Sequence, residues 1–128
     1  MRTTVRGKRG RLGLQTARPK RPPAPRRLDF EMLLCGAITN RRLVALRYES
    51  DPVDRIFQPV AVYHSTQHKV CVSGTQISNP AKPMDANEPH NFEIGKISVL
   101  RITDDAFTLP VEFDSLDKKF RNGFICRI

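Results

Sequence analysis

The chain has 128 residues and a formal net charge of +9, so one small domain is the natural expectation. No apolar run approaches the ~18 residues of a membrane-spanning helix, and the basic N-terminus leads into no apolar segment of the kind a secretory signal carries. The three cysteines, Cys35, Cys71 and Cys126, are odd in number and widely spaced, which argues against a disulfide scaffold and for a reducing, cytoplasmic setting.

The charge is unevenly divided. Residues 1–27 hold ten bases (Arg2, Arg6, Lys8, Arg9, Arg11, Arg18, Lys20, Arg21, Arg26 and Arg27) and no acid. Residues 28–128 hold the other 12 bases and all 13 acids. Every aromatic residue also lies beyond residue 27, so only that body can build a core. The first 27 residues combine like charges with Gly7, Gly10, Gly13, Pro19, Pro22, Pro23 and Pro25. Such a segment buries too little apolar surface to offset the entropy of ordering it, and is expected to be a disordered arm. Its residues 22–25 read as a stiff, extended spacer. Ten uncompensated charges bind polyanions by counterion release, without sequence preference. With no aromatic to stack on bases, the arm should grip phosphate rather than read sequence. The bland alternative is a solubilising tail or a start-site artefact.

Asp29 is a good helix N-cap. After it Phe30, Leu33, Leu34, Ala37 and Ile38 recur at helical spacing, which predicts a helix over 30–40. From Arg42 the pattern alternates. Strands are predicted over 42–49, 55–63, 69–77, 90–95 and 97–104. Pro59 suggests an edge or bulge and Gly74 a bend. Ser-Asp-Pro at 50–52 marks a turn. Residues 78–89 form a polar loop long enough to be functional. In the C-terminal piece, 105–128, Phe107, Val111, Phe113, Phe120 and Phe124 should pack back over the sheet. One helix followed by five short strands suggests a mainly β domain over 28–128, a small closed barrel that would leave no exposed edges.

Little in the chain points to catalysis. His64 and His68 flank a hairpin turn near Cys71, but no third close ligand joins them, so they read as polar residues at a hairpin tip. No Gly-x-Ser-x-Gly or Cys–His pattern is present. The pairs Asp51/Asp54 and Asp104/Asp105 fall in predicted turns, where Asp serves the backbone. Gly7-Lys8-Arg9-Gly10 lacks the spacing of a phosphate loop. Arg47, Arg55, Gln76, His90 and Lys96 are the body residues that would matter if the fold gathered them on one face.

Several short stretches, in order, resemble the WYL domain family. Residues 37–48, in which Arg41-Arg42 leads into a strand closing on Tyr48, look like the opening of such a domain. Arg55-Ile56-Phe57-Gln58-Pro59 matches an Arg-x-x-x-Pro strand, and Val70-Cys71-Val72 stands where the eponymous triad would be. Gly74-Thr75-Gln76 resembles a Gly-x-Gln of short members. Residues 90–97 are similar to Arg-x-Phe-Arg-Leu-Asp-Arg-Ile, and 99–107 and 120–128 to the closing strand and tail. The resemblance implies an Sm-like, SH3-type barrel after a helix, in a bacterial or phage protein that binds a nucleic-acid or nucleotide ligand to regulate transcription or phage defence. It makes Arg55, Gln76, His90, Lys96 and Arg47 the expected ligand residues. The departures weaken that site. The triad is lost, family arginines stand as His90, Glu93 and Lys96, and Glu93 would repel phosphate if it faced the same pocket. His and Lys also lack the bidentate guanidinium. The expectation is a non-enzymatic regulatory module with no cofactor or metal, its partner single-stranded DNA or RNA or a nucleotide. The alternatives are a protein-interaction module with a degenerate pocket and a small metal-dependent hydrolase.

Overall fold

The computed structural model describes residues 22–109 and 111–128. One helix, α1 (Leu28–Asn40), precedes six strands: β1 (Arg42–Tyr48), β2 (Arg55–His64), β3 (Val70–Ser78), β4 (Glu88–Glu93), β5 (Ile97–Ala106) and β6 (Phe124–Arg127). All pairings are antiparallel, in the order β4-β3-β2-β1-β5, and β6 adds to β2. Among the described residues β4 does not pair with β5, so the sheet is open where closure was expected. Among the described residues no helix is long and apolar enough to cross a membrane.

The helix begins earlier than the capping pattern suggests. Asp29 lies in the first turn instead of capping it, and its carboxylate takes two hydrogen bonds from Arg27. Asp29 and Glu31 still suit the positive end of the helix dipole. At the other end Arg41 adopts φ 56°, and its amide reaches back to the Ala37 and Ile38 carbonyls, a left-handed cap that turns the chain into β1.

α1 buries Phe30, Leu34, Ala37 and Ile38 against Val44, Leu46, Phe57, Val62, Val72, Phe92, Ile97 and Leu100. These sheet residues share one face because side chains alternate along each strand. The opposite, outer face carries Val60, Ala61, Tyr63 and Cys71, covered by Phe120, Phe113, Phe124 and Val111. The C-terminal aromatics therefore do fold back, as expected, and Phe120 packs at 4.8 Å from both Tyr63 and Phe124. β2 can carry Pro59 because the ladder with β3 shifts register between Pro59 and Ala61. Gly74 is required by close packing. A Cβ there would run into the Gln58 carbonyl and the Phe57 ring.

Three sequence readings need correction. Strand four starts at Glu88 rather than residue 90, because Glu88 and Pro89 pair with Gln76 and Thr75 despite their turn-like composition. The tail supplies a sixth strand. Cys35 on α1 and Cys126 on β6 form a disulfide, leaving Cys71 as the buried free thiol. An odd cysteine count does not exclude one bridge, so the inference from that count to a reducing compartment loses its basis.

The predicted arm also divides. Residues 1–21, with eight of its ten bases, lie outside the described residues. Residues 22–27 belong to the body. Arg26 binds the buried Glu31 through two hydrogen bonds of 2.6 and 3.1 Å. Arg27 sits 3.7 Å over the Phe30 ring. Ala24 donates its amide to Glu93 at 2.6 Å. These last two bases are thus compensated, which their sequence neighbourhood does not reveal.

Candidate ligand site on the helix face of the sheet

The register gathers three of the five predicted residues at one end of the sheet. Arg55 pairs with Leu46, Gln76 with Phe57, and His90 with Gly74. Cross-strand partners share a face, so all three point to the α1 side. α1 packs chiefly over β1, β2, β5 and β6, so β3 and β4 lie largely outside its cover.

Arg55 is held on three sides. Its Nε and Nη2 donate to the two Asp51 oxygens at 2.7 and 2.9 Å, and Nη1 donates to Gln76 Oε1 at 3.1 Å. A guanidinium has five N–H donors, so two have no partner among the described residues. Asp51 is itself fixed, because it also accepts the Tyr48 amide at 2.8 Å in the β1–β2 turn. The Arg55 hydrogen bonds push the Asp51 carboxyl below its ordinary range against a smaller opposing effect of burial.

Gln76 is fully buried, with its amide nitrogen on the Asp85 carbonyl at 3.1 Å. It orients Arg55 rather than meeting solvent. Phe92 forms the floor. The His90 ring stacks on it at 5.4 Å and 14°, and the Arg55 guanidinium carbon lies 5.3 Å from its centre. Tyr48 packs against the same ring at 5.0 Å. His90 is half-buried, and burial, then the nearby Arg55 charge, lower its pKa, so it is neutral at pH 7. Asp85, Glu88 and Lys82 act on it from the surrounding loop and strand end. The charges around the site thus nearly balance. Its chemistry is a fixed guanidinium beside a stacked, neutral imidazole.

The other two predicted residues lie elsewhere. Arg47 alternates to the outer face, where it binds Asp54 at 2.8 Å beside Arg101. Lys96 sits in a 3-10 turn and approaches Glu93, as does Lys69, each at 3.7 Å. Glu93 is paired with Cys71 on the outer face. It therefore points away from Arg55, and the condition under which it would repel a ligand phosphate there is not met. Sequence reasoning passes over Asp51 as a turn residue, although its spacing four before Arg55 is a usable signal. His64 and His68 lie at the β2–β3 hairpin, where His68 takes φ 63°, and the described residues contain no cluster suited to a metal.

No family model matches the chain, and no curated protein does so either.

Proposed function

We propose that the chain is a non-enzymatic binding module of the WYL-like kind that takes an anionic ligand carrying a planar ring, a nucleotide or a single-stranded nucleic acid. The setting is bacterial transcription regulation or phage defence. The observation that carries this reading is Arg55, oriented by Asp51 and Gln76 with two donors unpartnered among the described residues, beside the half-buried His90 ring that stacks on buried Phe92. Phosphate suits the guanidinium, and a base suits an aromatic surface. Because Asp51 offsets the Arg55 charge, the site contributes selectivity more than affinity. The bases of residues 1–21 supply the salt-dependent contribution. The strand order, with β4 and β5 at the two ends, is the order that a rolled, Sm-like barrel would need.

The second reading, a protein-interaction module with a degenerate pocket, draws support from one feature. Arg55 and Lys96, two positions of the resembled ligand site, both have carboxylate partners within the chain.

The test is binding of fluorescent single-stranded DNA and RNA, with nucleotide competitors, at ~50 mM salt, where phosphate contacts are strongest. Arg55→Lys keeps the charge and loses the fork. It should weaken nucleotide competition while leaving the salt slope of polynucleotide binding unchanged. Full-length protein that binds neither nucleic acid nor nucleotide under these conditions sinks the reading, and a stoichiometric protein partner on purification then favours the second.

A further inference from the structure

The outer face holds a groove of about 340 Å³ between β3, β4 and the C-terminal segment. Its walls include the Phe113 and Phe120 rings and three carboxylates, Glu112, Asp114 and Asp117. Asp114 and Asp117 each use one oxygen to accept a local amide, at 2.9 and 3.0 Å. Their second oxygens, and both of Glu112, have no partner among the described residues. Among those residues Lys119 is the one base of the lining. Ser73 also lines the groove. It is 6% exposed, and its hydroxyl has no hydrogen-bond partner among the described residues. The ring cluster already accepts cations. Lys119 lies 5.3 Å over Phe120, and Arg127 lies 5.4 Å over Phe124 and 5.8 Å over Phe113. A groove with aromatic walls, spare carboxylates and a buried hydroxyl suits a guanidinium or ammonium group.

The chain carries such groups close by. Ala24 is pinned to Glu93, and Glu93, Asn91 and Pro89 alternate along the outer face of β4, with Pro89 in the groove wall. Four residues of strand place Pro89 about 13 Å from Glu93. Arg21, Lys20 and Arg18 precede Ala24 by three, four and six residues, and a chain reaches about 3.3–3.6 Å per residue. We propose that the groove is the docking site for the chain's own basic segment, with Arg18, Lys20 and Arg21 as the groups it takes. On the nucleic-acid reading above, this contact competes with polyanions for the same bases, and so restrains binding until a polyanion displaces it.

The first test needs no nucleic acid, so its failure is distinct from failure of that reading. Backbone amide shifts of full-length protein are compared with those of full-length Arg18→Gln/Lys20→Gln/Arg21→Gln at ~50 mM salt, over a tenfold range of protein concentration. Ser73, Asn87 and Phe120 should shift between the two proteins, at every concentration alike. Wild-type signals should move toward the variant's as salt rises. Changes confined to residues 18–24 overturn the proposal. Groove shifts that grow with concentration also overturn it, because they assign the groove to a second copy. As an independent readout, Glu112→Gln/Asp114→Asn/Asp117→Asn should bind single-stranded DNA several-fold more tightly than a control neutralising Asp104, Asp105 and Glu49. Equal and measurable affinities count against it.

Discussion

The backbone amide of Ala24 donates to the Glu93 carboxylate at 2.6 Å, a contact between residues 69 apart in sequence. It fastens a proline-rich stretch to the edge strand β4. The buried carboxylate also lies 3.7 Å from the Lys69 and Lys96 ammonium groups, so one acid gathers one amide donor and two cations from three regions of the chain. The fit depends on a missing side chain. A Cβ on Gly95 would lie 2.5 Å from the Pro25 carbonyl oxygen and 2.7 Å from the Ala24 Cβ.

Gly95→Ala should therefore lift residues 22–25 from β4 while the sheet stays folded. Hydrogen exchange of the Ala24 amide should accelerate at least tenfold, with core amides such as Val62 and Val72 little changed. Unchanged exchange at Ala24 would show that the segment is held by something other than this close approach.

Asp51 links acid stability to Arg55. Its folded pKa is depressed below the ordinary 3.8, first by the Arg55 hydrogen bonds. A depressed carboxylate stabilises the fold fully above its unfolded value, and that contribution is lost as pH falls through the folded value. Asp51→Asn should cost about 1–3 kcal/mol at pH 7, the scale of a charged hydrogen-bond pair. The gap between wild type and variant should close below pH 4. Urea unfolding across pH 2–7 measures both; a gap independent of pH contradicts the linkage.

His90 titrates with the opposite charge but the same slope. Burial, then Arg55, place its pKa below the ordinary 6.5, so the folded chain resists the proton more than the unfolded chain does. Stability from this source is complete above about pH 6.5 and declines as pH falls through that value towards the folded one. An NMR titration should give His90 a midpoint below the ordinary 6.5. Inorganic phosphate bound beside Arg55 should raise that midpoint, and a midpoint indifferent to phosphate would count against an anion at this place.

The disulfide should be the largest single stabilising element that a reagent can remove. Closing a loop between residues 91 apart is worth about 4–5 kcal/mol in the chain-entropy relation, and β6 is only four residues long. Reduction, or Cys35→Ser/Cys126→Ser, should lower the unfolding free energy measured in urea by that amount. Cys71→Ser, which does not touch the bridge, should leave the response to reductant intact. Identical urea midpoints with and without reductant would refute the assignment.

The strand most legible in the sequence is the one that alternates clearly, 42–49, whereas it is the register across β2, β3 and β4 that places Arg55, Gln76 and His90 on one face. Arg47 is set apart by the same alternation, which puts it on the face opposite Leu46 and Tyr48. Lys96 escapes it because it sits in a 3-10 turn, where a period of two does not apply. β6 leaves no trace because four residues are too few to carry a pattern, and because its partner, β2, lies 60 residues upstream of Phe124 at His64. The Arg26–Glu31 and Arg27–Asp29 pairs join a basic stretch to acids across the boundary that composition draws, so charge counting sets that boundary too late.

The Cys35–Cys126 bond also gives the molecule a covalent topology. Residues 35–126 form a closed ring, so one peptide cut anywhere within it yields two segments that remain joined. Under non-reducing conditions a protease can shed material with a single cut only outside the ring. At the front that is residues 1–34, which include all ten clustered bases. The body is thus covalently armoured, while a single hydrolytic event suffices to remove the polybasic stretch.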